Sequence, residues 1–327
     1  MKLIFFAAGL GLTVSSLALE PLPSGHGLSK DYPGDAGIAH HPAVLIAEDF
    51  EHGSLDTLRQ RWNEVENKDG RVLEFAADRP GASAGRTSLQ VTATLGENTG
   101  GHLYKRLDPI RERVFARFYV KFAEDAPYLH HFSGLGGHNP PSNWPQGTAG
   151  LQATGDKRFS ARIEPHGRYG SIPAPGGWMF YTYWHDMKQS ADGGYWGNGL
   201  WPEGRPGPPP GRWQCVEMMV KCNAVGQSDG ELALWLDGRL ATHIGPGTKT
   251  GPWTGEGFEV RPDGQQTFEG FRWRTVPELA VSYFLLSHYV TENAYRQNRV
   301  ANPPKQNRVW FDDVVIATEY IGPILPR

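Results

Sequence analysis

The sequence predicts an all-β chain folded as a β-sandwich or jelly roll with long loops. Three observations carry that prediction. Apolar and polar residues alternate in segment after segment, the period that lets a strand bury one face. The 41 Gly and 26 Pro of the 327 residues supply turns and irregular connections between many short strands. Helical periodicity is confined to one short stretch, LDTLRQRWNEV at 55–65, and no internal repeat of fixed period is visible. With 11 Trp and 12% aromatic residues the chain has material for a sizeable core.

Taken in order, the chain opens MKLIFFAAGLGLTVSSLA. A basic start at Lys2, an apolar run too short for a membrane span, and small residues at Ser16-Leu17-Ala18 form the pattern of a secretory signal. Residues 1–18 are therefore expected to be a signal peptide, and the mature protein to be secreted or periplasmic, with no membrane association after cleavage. Removal of that segment leaves Leu19 or Glu20 in front, so no copper site built on an amino-terminal histidine is expected. Residues 19–42 are rich in Pro, Gly and His, lack periodicity, and read as an irregular N-terminal arm. Residues 43–327 read as one β domain.

That domain begins with AVLIAEDFEHG, and RTSLQVTATL follows near 86–95. In RVFARFYVKFAED, Val114, Ala116, Phe118, Val120 and Phe122 take one face, and Arg113, Arg117, Tyr119 and Lys121 the other. KRFSARIEPHG sets Phe159, Ala161 and Ile163 against Arg158, Ser160, Arg162, Glu164 and His166. GWMFYTYWHDM sets Trp178, Phe180, Thr182 and Trp184 against Met179, Tyr181, Tyr183 and His185. WQCVEMMVKCN sets Val216, Met218, Val220 and Cys222 against Glu217, Met219, Lys221 and Asn223. GELALWLDGRLATHI predicts a hairpin turning at Asp237-Gly238, a dipeptide suited to two-residue loops. LAVSYFLLSHYV and RVWFDDVVIATEY supply late strands. NPPSNWPQG and EGRPGPPPG read as long loops, where binding residues concentrate. Cys215 and Cys222 share one extended run, roughly 23 Å end to end, and are expected to be free thiols.

The polar faces hold bulky Tyr, Arg and His where plain solvated strands carry Thr, Ser and Lys. If their strands are neighbours, Arg117, Tyr119, Lys121, Arg162, Glu164, Tyr181, Tyr183 and His185 would form one polar-aromatic floor, with Glu217 and Lys221 lining it. Sugars suit such a floor, because rings stack on their C–H faces while charged groups take hydroxyls and carboxylates. The net charge of -3 gives no support to a nucleic-acid partner. An anionic, uronate-containing polysaccharide is the expected partner. Such a polymer can be cut by β-elimination, which needs a cation on the carboxylate, a base at C5 and an acid at the leaving oxygen. Tyrosine fills both proton roles if its phenol, ordinarily near a pKa of about 10, is lowered by neighbouring cations. Arg162 ahead of a Tyr181-x-Tyr183 pair fits that need. The two rings are then about 7 Å apart on one face.

The order FARFYVKF, SGLGGHNP, RFSARIEPHG, GWMFYTYW, GRWQCVEMMVKCN and GELALWLDG resembles the family 14 polysaccharide lyases and their concanavalin-like jelly-roll relatives. The resemblance covers residues 85–320. It implies that Arg162 neutralises the carboxylate and that Tyr181 and Tyr183 serve as acid and base. Where that family has a lysine after its glycine pair, this chain has His138, with Asn139 next to it as a further donor. His138 is thus a candidate base or carboxylate ligand, or a loop histidine bonded to backbone.

Two other functions remain open on the same sandwich. A lectin-like module would use the floor without any proton transfer. A glycoside hydrolase would use separated carboxylates, for which Glu164, Asp186 and Glu217 are available. No catalytic metal and no required cofactor are expected, since His40-His41 and His130-His131 are adjacent pairs without ligand spacing. The acids of EDFE (48–51) and FDDV (311–314) leave open a structural calcium ion between first and last strands, beside ordinary hydrogen bonding.

Overall fold

In the computed structural model, which describes residues 19–143, 148–255 and 257–327, the alternating runs become strands where the sequence places them. The expected signal segment lies outside the described residues, as do residues 144–147 of the first long loop. In chain order the first strands are β1 (Val44–Glu48), β2 (Glu64–Glu66), β3 (Leu73–Ala76), β4 (Ser88–Thr94), β5 (Gly100–Arg111) and β6 (Arg113–Phe122). Next come β7 (Gly134–His138), β8 (Arg158–His166), β9 (Gly177–Tyr183), β10 (Asn198–Trp201), β11 (Gln214–Lys221) and β12 (Glu231–Leu236). The rest are β13 (Arg239–Ile244), β14 (Lys249–Thr250), β15 (Gly257–Glu259), β16 (Gln266–Thr267), β17 (Val281–Tyr289) and β18 (Gln306–Ala317). The expected helix is α1 (Leu55–Arg61), started by the Ser54 side chain accepting from the Thr57 N–H, and a second, α2 (Glu292–Gln297), has Thr291 in the same role.

Two large sheets form the sandwich. One runs β13-β12-β11-β6-β18-β4-β3, with β1 also on β18, and the other runs β15-β10-β9-β8-β7-β17-β5-β2. Their apolar faces meet in one core, where Phe118 and Phe122 of β6 lie against Phe132 and Trp178. The β12–β13 hairpin turns at Asp237 and Gly238, both at positive φ (50° and 76°). Cys215 and Cys222 are buried free thiols. No helix among the described residues is long and apolar enough to cross a membrane.

The strand order corrects one expectation. β6 and β11 pair with each other, Arg117 opposite Glu217, in the sheet that does not contain β8 and β9. Arg117, Tyr119, Lys121, Glu217 and Lys221 therefore share no floor with Arg162 and the tyrosines. Their face seats the N-terminal arm and the C-terminal residues. Residues 19–42 lie across it as three short 3-10 turns, Leu28–Asp31, Pro33–Asp35 and Ile38–His40, which put Leu28 and Ile38 on Phe115, Met219 and Trp235. The C-terminal Tyr320 and Ile321 join the same cluster. Arg117, wholly buried, makes an ion pair with Asp35 of the arm. Glu217 accepts from the Ile321 and Gly322 N–H groups, both at 2.8 Å, and the Tyr119 hydroxyl accepts from the Ile324 N–H at 2.9 Å. Lys121 pairs with Asp78 and lies 4.5 Å over the Trp310 ring, and Lys221 pairs with Glu231 at 2.6 Å. Bulky polar side chains are dense here because they bind backbone N–H groups and oppositely charged side chains of this chain.

β1 pairs with β18, Glu48 opposite Val314, so the two acidic segments adjoin as expected. Glu48 accepts from Phe50 N–H, Arg61 and Trp62, and Glu51 from the Arg86 and Thr87 N–H groups. Burial and then mutual repulsion raise the carboxyl of Asp312, and burial raises that of Asp313. Among the described residues no group of three or more His, Cys, Asp or Glu is arranged to hold a metal.

Candidate active site

The outward face of the second sheet is built by three neighbouring strands in fixed register. Arg162 of β8 is opposite Tyr181 of β9, and Ser160 opposite Tyr183. On the other side β7 sets Gly134 opposite Arg162, Gly136 opposite Ser160, and His138 opposite Arg158. Period-two alternation then aims Arg158, Arg162, Tyr181, Tyr183 and His138 to the same side. β17 brings Tyr283 opposite Gly136. Two glycines make the packing possible. A Cβ on Gly136 would lie 2.4 Å from the Tyr283 hydroxyl, and one on Gly197 would lie 2.3 Å from the Tyr181 ring.

The result is a cavity of about 120 Å³ lined by His131, His138, Arg158, Arg162, Tyr181, Tyr183 and Tyr283, with Thr148 and Ala149 at one side. The four residues singled out for proton transfer and charge neutralisation thus meet in one place. His131 and Tyr181 also line an adjoining cavity of about 550 Å³, whose walls include His130, Glu164, His166, Tyr169, Trp196 and Trp201. Together the two make a groove running diagonally across β7, β8 and β9 toward β10.

The Tyr181 and Tyr183 hydroxyls are 3.4 Å apart, and the Gly197 N–H donates to the Tyr181 oxygen at 2.8 Å. Burial, followed by the neighbouring Tyr183, pushes the Tyr181 phenol above the ordinary tyrosine range. That corrects the expectation of a lowered phenol at Tyr181, because desolvation outweighs the guanidinium charge. Tyr181 holds its proton at neutral pH and is suited to donate it. The Arg158 guanidinium lies 5.1 Å over the Tyr183 ring and donates to the Thr148 and Leu151 carbonyls at 3.0 and 2.5 Å, so it ties the loop before β8 to the floor. Arg162 is the central cation. Burial is the main cause of the shifts at His102, His130 and Tyr283, and the Arg162 charge adds to or opposes it at each.

His131 is the residue that sequence reasoning passed over. Its Nδ1 is 3.2 Å from Glu164 Oε2, which also accepts from the Phe132 N–H at 3.3 Å. Glu164 is almost wholly buried. Burial pushes its carboxyl up, but the charge and hydrogen bond of His131, then His166 and Arg162, outweigh it and hold it below the ordinary range. An ionised Glu164 only accepts, so His131 donates to it from Nδ1, and that bond fixes the orientation of the ring and leaves Nε2 as its second nitrogen. The His131 ring stacks on His130 at 4.4 Å and lies 4.8 Å from the Tyr181 ring. His130 is held neutral, pushed down to about 4 by burial and then by His131. Adjacent residues of a regular strand face opposite ways, so spacing alone does not bring His130 and His131 together. Here the chain is no regular strand, only an isolated bridge from His131 to Tyr289, and both rings turn to the groove.

Glu164 is thus in the groove as expected, but Asn139 and His185 are outside the cavity lining. The Asn139 side chain donates to the Asp156 carbonyl at 3.1 Å, and His185 Nδ1 bonds the Thr154 carbonyl at 2.8 Å. Both lie just past strand ends and fix the connection between β7 and β8. Asp186 is occupied by Arg272 at 2.5 and 3.0 Å.

No family model matches this chain, and no curated protein matches it in sequence. Solved structures do. A family 14 alginate lyase from Aplysia kurodai superposes with a TM-score of 0.58 at 14% identity, over 84% of this chain and 99% of that one. An alginate lyase from a Chlorella virus gives 0.54 at 15% identity, over 85% and 100%. A third alginate lyase gives 0.53 at 14% identity, over 88% and 99%. At such identities the likeness is one of fold, and this chain has the jelly-roll fold of the family 14 polysaccharide lyases.

Proposed function

We propose that the protein is an exported polysaccharide lyase that cleaves a uronate-containing polymer by β-elimination. The observation that carries this reading is the convergence of Arg162, Tyr181, Tyr183, His138 and the His131–Glu164 pair on one groove. Arg162 binds the uronate carboxylate and stabilises the charge that develops when the C5 proton leaves. His131, oriented by Glu164, takes that proton on Nε2, with Tyr183 the other base within the same cavity. Electrons of the C5–H bond form the C4–C5 double bond as the C4–O4 bond breaks. Tyr181 gives its proton to the departing O4. His138, beside Arg158 and Tyr283, lies where it can take a carboxylate oxygen of the same sugar.

The hydrolase alternative loses support from geometry. Of its three carboxylates, Glu217 is in the other sheet, Asp186 is paired with Arg272, and Glu164 is spent on His131. The apolar leader at 1–18 supports export. Because the structural neighbours are alginate lyases, alginate is the first polymer to try, followed by glucuronan. The test is ultraviolet absorbance of the unsaturated uronate on incubation with each polymer. A rise in absorbance with each new chain end is expected. New reducing ends without absorbance would make the protein a hydrolase, and binding without either would make it a lectin-like module.

A further inference from the structure

The groove does not end at the two cavities already described. Beyond Trp201 it continues into a third, of about 350 Å³, which shares Arg168, Tyr169, Trp201, Thr254 and Gly257 with the second. This far end is rich in cations. Arg168, Arg205 and Arg261 line it against a single carboxylate, Glu259. One oxygen of Glu259 takes both Arg205, at 2.5 Å, and Arg261, at 3.2 Å. The buried Arg205 Nε has no hydrogen-bond partner, and Arg168 has no carboxylate within ion-pair distance among the described residues. Positive charge is therefore left over, with donors unspent.

Aromatic surface accompanies it. Arg205 lies 5.7 Å over the Trp201 ring, and Tyr169 stands 63% exposed at the rim. The backbone is also held in unusual form. Arg168, Tyr169 and Arg205 all have positive φ, at 45°, 57° and 48°. Non-glycine residues keep that conformation only where the surroundings impose it, and such strain gathers at ligand clamps. The stretch between the two ends differs in kind. Its carboxylates are Glu164 and Asp192 and its imidazoles His130, His131 and His166, with Arg168 its one arginine. Burial lowers His130 and His166, and Asp192 is held low by the Gly194 N–H and by Trp196.

We propose that Arg168, Arg205 and Arg261, with Trp201 and Tyr169, form a second anion-reading site that binds a uronate of the polymer remote from the one at Arg162. It rests on the lyase reading for the identity of the ligand, not for its charge. Arg162 and His166 are four residues apart on β8, about 13 Å at strand rise, and β15 is three strand spacings from β8, about 14 Å. That span exceeds one sugar ring, so the second site reads the chain and not the sugar being cut. Wild-type protein then prefers long polyuronate to a trisaccharide.

The experiment compares wild type with the doubly substituted Arg168→Ala/Arg261→Ala protein on sodium polyuronate and on its trisaccharide, with affinity electrophoresis in the same polymer as an activity-independent arm. The double variant should lose the preference for length, its KM for polymer rising about tenfold toward the trisaccharide value while kcat changes less. Retardation by polyuronate should fall, and Arg168→Lys/Arg261→Lys should restore most of it. An equal KM rise on both substrates, or no change on polymer, overturns the proposal. If no polymer is cleaved but wild type is retarded and the alanine variant is not, the second site stands and the lyase reading falls. If wild type is not retarded by polyuronate, the second site falls.

Discussion

Tyr181 is defined by two opposing influences on one oxygen. Burial beside Tyr183 keeps the phenol protonated, while the Gly197 N–H at 2.8 Å stabilises the charge the oxygen acquires when it gives the proton up. That combination describes an acid that works late in a reaction. Tyr181→Phe should lower kcat by about 10²- to 10⁴-fold and leave polymer binding intact, measured by product absorbance and by affinity electrophoresis. The alkaline limb of the kcat profile should lie above the ordinary tyrosine range, because the folded environment raises the phenol. A limb at or below that range would assign the acid elsewhere. Glu164→Gln separates positioning from packing at His131. It removes the charge that fixes the imidazole tautomer, so kcat should drop while KM holds, and a rise in KM alone would contradict the role given to the pair. Arg162, Tyr181 and Tyr183 were legible because each sits in an alternating strand, where side-chain direction follows from spacing, whereas His138 was legible only through the resemblance, at the position where that family has a lysine after its glycine pair. His131 escaped notice because its orientation depends on a single bridge to Tyr289, a contact made 158 residues away in the chain.

At the scale of elements, the sequence distinguished inner from outer faces but not one sheet from the other. β6 and β8 carry the same pattern of apolar residues opposite Arg, Tyr, Lys and Glu, and nothing within either run tells which outer face is open. The deciding contacts come from distant elements. Residues 28–40 and 320–324 cover β6 and β11, whereas β8 and β9 are flanked by loops that leave a groove. The arm is thus a structural part of the domain. Its Asp35 is the partner of the fully buried Arg117. Asp35→Ala leaves that charge uncompensated and should cost about 3–5 kcal/mol of unfolding free energy, read as a lower urea midpoint at unchanged slope. Arg162 and the tyrosines lie in the opposite sheet, so turnover by the folded fraction should be preserved. Gly197→Ala reaches the site itself. A Cβ there would lie 2.3 Å from the Tyr181 ring and force it to shift, so product absorbance should show activity falling, and the overpacking should cost about 1–3 kcal/mol of unfolding free energy.

For the whole molecule, buried titratable groups set two opposing slopes of stability against pH. His102, His130 and His288 are pushed down to about 4 by burial. The unfolded chain binds protons at these positions near pH 6.5 and the fold does not, so the stability they confer is present above 6.5 and lost as pH falls toward 4. The buried acids run in the reverse sense. Glu217 is pushed up to about 7 by burial, against the Ile321 and Gly322 N–H groups, and Asp312 and Asp313 are raised as well. For each, the fold holds a proton that the unfolded chain has released, so their stability is full below about pH 4 and is lost as pH rises through the folded value. Between about 4.5 and 6.5 the two sets offset one another. Above 6.5 the histidines no longer change and only the acids act, so unfolding free energy should decline toward pH 9. Glu217→Gln keeps the shape and removes the titration. It should flatten part of that decline, by on the order of 1 kcal/mol when urea midpoints are compared at pH 6 and pH 9, because only about one unit of the window from 4.5 to about 7 lies above pH 6. An undiminished decline in the variant would mean that the carboxyl under the C-terminal arm is ionised in the folded protein, and that Ile321 and Gly322 bind a charge there.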